Sequence, residues 1–156
     1  MDLIILRTKK EEASKLLVIQ KKAFKDDLEK YQDHESSPVN EPIERLRMKI
    51  ELFFHYTIWL NDEIIGGIDV RDLGDGKYRL NRIFISPDFQ GLGLGTRIMQ
   101  VMESEFSQAK EWSLDTPHLN SKNHHFYEKL GYIKVGEHVI TEKLRLVDYV
   151  KTIYNG

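Results

Sequence analysis

Three glycines at alternate positions give residues 90–95 the sequence Gln-Gly-Leu-Gly-Leu-Gly, although the chain of 156 residues has only 10 glycines. Because glycine has no Cβ, another molecule can approach its backbone closely. A helical pattern begins at Leu94, and the free amides at a helix N-terminus attract anions such as phosphate. A tight turn without a ligand would need the same glycines. The run by itself therefore indicates either a sharp reversal of the chain or an anion site.

The residues around the glycines exclude two common phosphate-binding loops. A nucleoside-triphosphate loop ends in Lys followed by Ser or Thr, whereas Thr96 and Arg97 follow here. A dinucleotide-binding fold would place its glycines in the first strand–helix unit of the chain. We therefore expect any anion bound here to belong to another cofactor.

Alternating strand and helix patterns must position this loop. Strands are predicted at residues 3–7, 55–60, 64–71, 78–85, 112–116, 132–135 and 139–150. Helices are predicted at residues 13–24, 43–54, 94–109 and 122–130. No linker, repeat or low-complexity tract separates these elements, so a single α/β domain over residues 1–156 is expected.

The strand before the glycines has an irregular pattern. Its apolar residues divide between two faces, with Tyr78, Leu80 and Phe84 on one and Ile83 and Ile85 on the other. The polar pair Asn81-Arg82 lies between them. Burial on both faces would explain this pattern, and so would a bulge that leaves backbone groups unpaired. The strand alone favours burial on both faces.

Two motifs in order give the chain a resemblance to the GNAT superfamily of N-acetyltransferases. The family has Gln/Arg-x-x-Gly-x-Gly/Ala at a helix start, matched by residues 90–95 after Ile-Phe-Ile-Ser-Pro at 83–87. It also has an asparagine seven residues before a tyrosine, in a stretch that ends Phe-Tyr-Glu-Lys-x-Gly-Phe/Tyr. Asn120 and Tyr127 match these two positions, and the stretch ends at Tyr132. The resemblance covers nearly the whole chain.

The resemblance implies a fold and a cofactor. The fold would be a mixed, mostly antiparallel α/β (α+β) sheet of six to seven strands with about four helices, splayed between strands 78–85 and 112–116. The cofactor would be acetyl-CoA, as acetyl donor. Its pyrophosphate would bind the backbone amides of Gln90, Gly91, Leu92, Gly93, Leu94, Gly95 and Thr96. Its pantetheine arm would pair with the backbone of Ile83, Phe84 and Ile85 and bond to Asn120.

The resemblance also gives Tyr127 a catalytic position beside the thioester sulfur. An amine that attacks the thioester builds negative charge on the carbonyl oxygen and then expels a thiolate, so a backbone N–H and a phenol are suitable donors. Direct transfer in a ternary complex needs no cysteine, and the chain has none. Without the surrounding motif, Tyr127 would be read as a core tyrosine.

The chain lacks one catalytic residue that many family members have. Those members carry a glutamate on the strand before the loop to deprotonate the incoming amine, but the corresponding positions here are Arg79 and Asn81. Glu35 and His118 are candidate replacements, and a chain of water molecules is a third route for the proton. Glu35, Asn81 and His118 are thus the residues expected near the acceptor.

Composition limits the remaining classes. With 40% hydrophobic residues, 31% charged residues and a net charge of −2, the chain suits a soluble domain without a basic face for nucleic acid or membrane. The absence of cysteine and of a long apolar run favours the cytoplasm. The adjacent His124 and His125 are poorly placed as metal ligands, so no metal is expected. The long final strand 139–150 could provide an edge for a homodimer.

Three functions are consistent with these observations. The first is acetyl transfer from acetyl-CoA to a primary amine of a small molecule or peptide. The second is a non-catalytic domain that binds or senses acyl-CoA, against which Asn120 and Tyr127 argue. The third, a nucleotide-binding domain, would need a lysine or an acidic metal ligand beside the glycines, and none is obvious there.

Overall fold

Seven strands form one sheet in the order β1-β2-β3-β4-β5-β7-β6 in the computed structural model, which describes residues 2–154. The strands are β1 (Leu3–Arg7), β2 (Phe54–Leu60), β3 (Glu63–Gly74), β4 (Lys77–Ile85), β5 (Glu111–Pro117), β6 (Ile133–Val139) and β7 (Arg145–Thr152). Neighbouring strands are antiparallel except for β4 and β5, which are parallel. The predicted mixed, mostly antiparallel sheet is confirmed.

Four α-helices accompany the sheet within residues 2–154. They are α1 (Ala13–Tyr31), α2 (Ile43–Leu52), α3 (Leu94–Glu105) and α4 (Ser121–Lys129). Their number agrees with the expected architecture, and α1 is longer than predicted. No helix in this part of the chain is long and apolar enough to cross a membrane.

The helices enclose two hydrophobic clusters. The larger cluster contains Leu94, Ile98 and Met102 of α3 and Tyr127 of α4, packed on the sheet. The smaller contains residues of α1 and α2 packed around Phe84 of β4. Burying one large aliphatic side chain in such a cluster contributes roughly 1.5–3 kcal/mol. The sheet is therefore held from both faces, and β4 contributes to both clusters.

A bulge in β4 explains the irregular pattern of that strand. Asp69 of β3 pairs with Arg82 and Val70 pairs with Leu80, so Asn81 is an extra residue. An extra residue reverses the side-chain alternation beyond it. Accordingly, the larger cluster receives Leu80 together with Tyr78, Ile83 and Ile85, whereas Phe84 enters the smaller one. The prediction that Tyr78, Leu80 and Phe84 share a face is wrong, and so is the preference for a strand without a bulge.

The parallel strands β4 and β5 separate after a short paired segment. Their register covers only the three pairs from Lys77–Glu111 to Arg79–Ser113, although β4 continues to Ile85 and β5 to Pro117. The sheet therefore opens into a V-shaped cleft, as expected for these two strands.

The last strand differs from its prediction. Residues 140–144 form a bend, and β7 begins only at Arg145. It is paired on both sides, with β5 and with β6, so it offers no free edge. The expectation that the final strand provides an edge for dimerisation is wrong, because β7 lies between β5 and β6 and the edge strand at this end of the sheet is β6. The oligomeric state stays a prediction.

Candidate functional site

The cleft between β4 and β5 contains a cavity of about 390 Å³. Its walls come from both strands, from the second half of α1 and the turn after it, from α4 and from the β6–β7 connection. Tyr127 and Asn81 both line it. The cavity therefore spans the cleft from the α4 side to the α1 side.

The glycine run forms the loop before α3, and its glycines serve different purposes. Gly91 and Gly93 have φ values of +78° and +73°, a left-handed conformation that favours glycine. An added Cβ would meet nothing within 4 Å at either position. Gly95 has an ordinary φ, but a Cβ there would lie 3.0 Å from Cζ of Phe126. The first two glycines thus shape an open loop, and the third lets α3 and α4 pack closely.

The start of α3 has the features of an anion site. Gly93 is its N-cap residue and supplies no side-chain cap to the first amides. Gln90 donates from Nε2 to the backbone oxygen of Ile85 at 2.9 Å and so ties the loop to the end of β4. Leu94 is buried, whereas Leu92 is 51% exposed, so only Leu94 is a packing residue. The amides of residues 94–96 are available to a phosphate group.

The end of β4 presents backbone to the cleft. Ile83, Phe84 and Ile85 pair with β3 on one side, and β5 pairs with none of them. Gly66 and Gly67 on β3 explain how Phe84 fits: a Cβ on Gly66 would lie 2.1 Å from the carbonyl oxygen of Phe84, and one on Gly67 would lie 2.9 Å from its ring. This Gly-Gly pair was a local signal that the sequence analysis did not use.

Asp69 is a buried carboxylate that holds the bulge from β3. Its Oδ2 accepts from Nδ2 of Asn81 at 2.8 Å, and both of its oxygens accept from Arg71, at 3.2 and 3.1 Å. Because Asp69 is only 2% exposed, these contacts replace its water.

Glu41 is a second buried carboxylate, and it holds the residue after the bulge. Its Oε2 lies 3.0 Å from Nη1 of Arg82 and 2.5 Å from Nζ of Lys49, while Gln20 donates to Oε1 at 3.2 Å. Burial alone would raise the pKa of Glu41, but the hydrogen bond from Lys49 and the charge of Arg82 outweigh it and hold that pKa below its usual value. Sequence reasoning missed both carboxylates, because each comes from a different segment.

Tyr127 is buried beside the cavity. It is 6% exposed, and its ring contacts those of Phe126, Tyr132 and Tyr149. Burial, with a smaller effect from the negative charge of Asp115, raises the pKa of Tyr127 to about 12. The phenol therefore stays protonated at neutral pH and can donate a hydrogen bond into the cavity.

Asn120 lies at the N-cap of α4. Its Oδ1 accepts from the backbone N–H of Asn123 at 3.1 Å. Asn123 rather than Asn120 lines the cavity, and its Nδ2 donates to Oγ1 of Thr116 at 3.3 Å. Asn120 thus has a structural role as a cap, and its amide nitrogen remains a donor.

Of the three residues expected near the acceptor, Asn81 is the one that lines this cavity among residues 2–154. Glu35 is exposed on the turn after α1. His118 has Nδ1 at 3.0 Å from the backbone nitrogen of Arg145, and its ring packs against Tyr31. The acidic residues that do line the cavity are Asp27, Asp33 and Asp115.

Arg79 occupies the strand position where a glutamate was sought. Its Nη2 lies 2.6 Å from Oδ2 of Asp115 on β5. A guanidinium cannot accept a proton in a protein, so Arg79 is no general base.

One group of side chains within residues 2–154 has the spacing to hold a metal ion. Ligand atoms of Asp115, His138 and Asp148 all lie within 4.8 Å of one another. His138 Nδ1 already contacts Asp148 Oδ2 at 3.1 Å, and Arg79 already contacts Asp115. The expectation that no metal is needed stays a prediction.

Comparisons with known proteins agree with this geometry. The family model described as "Acetyltransferase (GNAT) domain" matches residues 10–153. A search of curated protein sequences finds no significant match.

Several solved structures share the fold at low sequence identity. The PaiA N-acetyltransferase from Thermoplasma acidophilum, in complex with coenzyme A, has 17% identity and a TM-score of 0.76, over 98% of this chain and 100% of that one. The ribosomal-protein-S18-alanine N-acetyltransferase from Escherichia coli has 14% identity and a TM-score of 0.79, over 99% and 96%. A chimera of spermidine N-acetyltransferase SpeG from Vibrio cholerae and hSSAT has 15% identity and a TM-score of 0.75, over 97% and 96%.

At these identities the likeness to solved structures shows the fold alone. The family model is a separate finding, and it spans all but the ends of the chain. This chain belongs to the GNAT acetyltransferase family.

Proposed function

We propose that this protein transfers an acetyl group from acetyl-CoA to a primary amine of a small molecule or peptide by direct attack in a ternary complex. The observation that carries the proposal is a set of three features at or next to one cleft. The loop before α3 has uncapped amides and is tied to the end of β4 by Gln90, the end of β4 has backbone without a partner in β5, and the Tyr127 phenol borders the cavity in the cleft.

The donor would bind mainly through backbone groups. The amides of residues 90–96 would hold the pyrophosphate, since the loop and the start of α3 supply N–H groups and the positive end of the helix dipole. The pantetheine arm would lie along Ile83, Phe84 and Ile85 and extend the sheet at the edge that β5 leaves open. Asn120 would donate to the same arm from its amide nitrogen.

The transfer would form one bond and break another. The neutral amine attacks the thioester carbonyl carbon, a C–N bond forms, and the C–S bond breaks with its electron pair on sulfur. A backbone N–H beside the bulge would stabilise the carbonyl oxygen as it becomes negative. Because Asp69 and Glu41 hold the bulge, this backbone N–H would already be in position before acetyl-CoA binds.

Tyr127 would act as a hydrogen-bond donor to the departing sulfur. A thiol has a pKa of about 8.5 in model compounds, well below the value of about 12 for Tyr127. Complete proton transfer from the phenol to the thiolate is therefore unfavourable, whereas hydrogen bonding is not. The amine's proton would leave through water, because Arg79 replaces a carboxylate base on β4.

Two measurements test the proposal. Calorimetry with acetyl-CoA measures donor binding, and a thiol-release assay over a panel of amines measures turnover. We expect binding, and release of coenzyme A with at least one primary amine. Binding without turnover for any amine would favour the non-catalytic acyl-CoA sensor, and absence of binding would overturn both functions.

A further inference from the structure

Two carboxylates that line the cavity, Asp27 and Asp33, have no cationic side chain of the described residues in contact with them. Five charged residues line it: Asp27, Asp33, Arg79, Arg82 and Asp115. Arg79 is paired with Asp115 at 2.6 Å, and Arg82 contacts Glu41 at 3.0 Å, a carboxylate that it shares with Lys49. Within residues 2–154, no Lys, Arg or His lies within 4.0 Å of the carboxylates of Asp27 and Asp33. The α1 side of the cavity is therefore anionic.

Asp27 is half-buried on α1. Burial raises its pKa above the usual value, although the positive charge of Lys30 opposes this and the neighbouring Asp26 adds to it. Lys30 is exposed and does not line the cavity. A partly desolvated carboxylate without a close partner is unfavourable, and a bound cation would relieve it.

Asp33 follows the end of α1 and is 8% exposed. Its carboxylate accepts from the backbone N–H of Ser36 at 3.3 Å and from the Ser36 hydroxyl. These bonds fix the carboxylate without neutralising its charge.

Tyr31 supplies an independent sign that a polar ligand is missing from this side. It lines the cavity, it is 3% exposed, and its hydroxyl makes no hydrogen bond among the described residues. Burial and the negative charge of Asp27 raise the pKa of Tyr31, and the nearby backbone of Leu119 opposes this effect without meeting hydrogen-bond geometry. Buried hydroxyls almost always have partners, so an N–H donor in the cavity would complete this one.

Apart from Ser36 and Ser37, the rest of this wall is apolar. Its side chains are Phe24, Leu28, Pro38, Ile140, Leu144 and Leu146. This apolar part suits methylene groups and has no donor for a carboxylate. Both cavity arginines already contact carboxylates, Asp115 and Glu41, so an acceptor with its own carboxylate would have to compete with these contacts.

Resting on the proposed acetyl transfer, we propose that the acceptor is a linear diamine or polyamine. One ammonium group would be held by Asp27, Asp33 and the Tyr31 hydroxyl. The methylene chain would cross the apolar wall, and the second amine would reach the thioester carbon beside Tyr127. The cavity is continuous between these residues, since all of them line it.

The test compares two amines that differ in one charge. Thiol release from acetyl-CoA is measured with 1,4-diaminobutane and with 1-aminobutane, and lysine serves as a carboxylate-bearing diamine. We expect kcat/KM for the diamine to exceed that of the monoamine at least about tenfold. A hydrogen bond between charged groups contributes enough binding free energy for a factor of about ten. Lysine should be close to the monoamine.

Variants then assign the preference to the named carboxylates. Asp27→Asn and Asp33→Asn should each lower kcat/KM for 1,4-diaminobutane by a larger factor than kcat/KM for 1-aminobutane, and so remove most of the diamine preference. Asp26→Asn, an exposed neighbour on the same helix, is the matched control and should keep the preference. Ser36→Ala removes a hydrogen bond to Asp33 but leaves its charge, so it separates loss of charge from loss of turn structure.

A binding readout keeps this inference distinct from the proposed function. Calorimetric titration of 1,4-diaminobutane into the protein saturated with coenzyme A should show binding that Asp27→Asn weakens about tenfold. Equal rates and equal binding for the two amines would overturn the inference while leaving acetyl transfer intact. Diamine binding without thiol release from any amine would instead overturn the transfer reaction. An Asp27→Asn variant that lowers kcat/KM for both amines by the same factor would also overturn the inference.

Discussion

The two faces of the sheet would bind the proposed ligands by different means. On the α3 and α4 face, the proposed donor contacts are backbone groups of residues 83–85 and 90–96, and side chains mostly pack behind them. On the α1 and α2 face, the proposed acceptor contacts are the side chains of Asp27 and Asp33, and the buried, paired carboxylates Glu41 and Asp69 hold the β4 bulge behind the cavity. Backbone contacts depend little on side-chain identity, whereas a choice among acceptors would depend on side chains. Mutations on the two faces should therefore have different signatures.

Glu41→Ala should give the largest effect and should act on stability. It leaves the charges of Arg82 and Lys49 buried without their shared partner, and breaking a buried ion pair costs about 3–5 kcal/mol. Urea unfolding of the variant measures the loss. Glu137→Ala, which breaks the exposed pair with Lys134, is the control and should leave the stability nearly unchanged. Equal losses in both variants would show that the buried position of Glu41 is unimportant.

Tyr127→Phe should act on turnover alone. Removing a hydrogen-bond donor to a charge that develops in the transition state lowers kcat about 100-fold, while the apolar packing of the ring is kept. Single-turnover thiol release and calorimetry with acetyl-CoA separate rate from affinity. Tyr132→Phe is the control, since the Tyr132 hydroxyl is buried without a partner among the described residues. An unchanged rate for Tyr127→Phe would remove its proposed role.

Acid should destabilise the α1 and α2 face through His55. This residue is 2% exposed, and burial lowers its pKa to about 4 from 6.5. The unfolded chain then binds a proton that the folded protein excludes, so stability falls as the pH drops from about 6.5 towards 4. The expected loss is about 1.5 kcal/mol between pH 6.5 and pH 5. His55→Gln should flatten this slope in urea unfolding, and a slope that the substitution leaves unchanged would assign the effect to other groups.

Gly93→Ala should weaken coenzyme A binding about tenfold. Its φ of +73° disfavours a residue with a Cβ, at a cost of roughly 1–2 kcal/mol. Gly74→Ala is a matched control because Gly74 has a φ of +88° and open space around it, far along the chain in the β3–β4 turn. Both variants should lose similar stability, and only Gly93→Ala should lose affinity in calorimetry. Equal affinities would contradict a donor site at this loop.

The same contrast explains which features the sequence could predict. The glycine loop, the helix after it and the Asn120–Tyr127 stretch are local patterns, and the splayed sheet follows from the family that they indicate. Tyr127 was expected at the reaction centre, and it lines the cavity. Each of these features depends on residues that are close together in the chain.

Features that depend on distant segments were missed. The bulge at Asn81 is defined by the register with β3, which a single strand cannot reveal. The acidic lining of the cavity combines residues of α1, the turn after it and β5. The sequence does not show which acidic side chain of the turn faces the cavity, so Glu35 was as reasonable a candidate as Asp33. Likewise, the interior position of β7 follows from the order of strands in space. Long-range pairing and side-chain exposure decided all three cases.

The bulge also has a consequence for how the protein unfolds. It makes one strand supply Leu80 to the larger hydrophobic cluster and Phe84 to the smaller, four residues apart. Neither cluster can lose β4 without exposing the other, so the two should open as one cooperative unit. Under native conditions, the slowest-exchanging amides of α1 and of α3 should therefore share a single opening free energy, although these helices lie on opposite faces of the sheet.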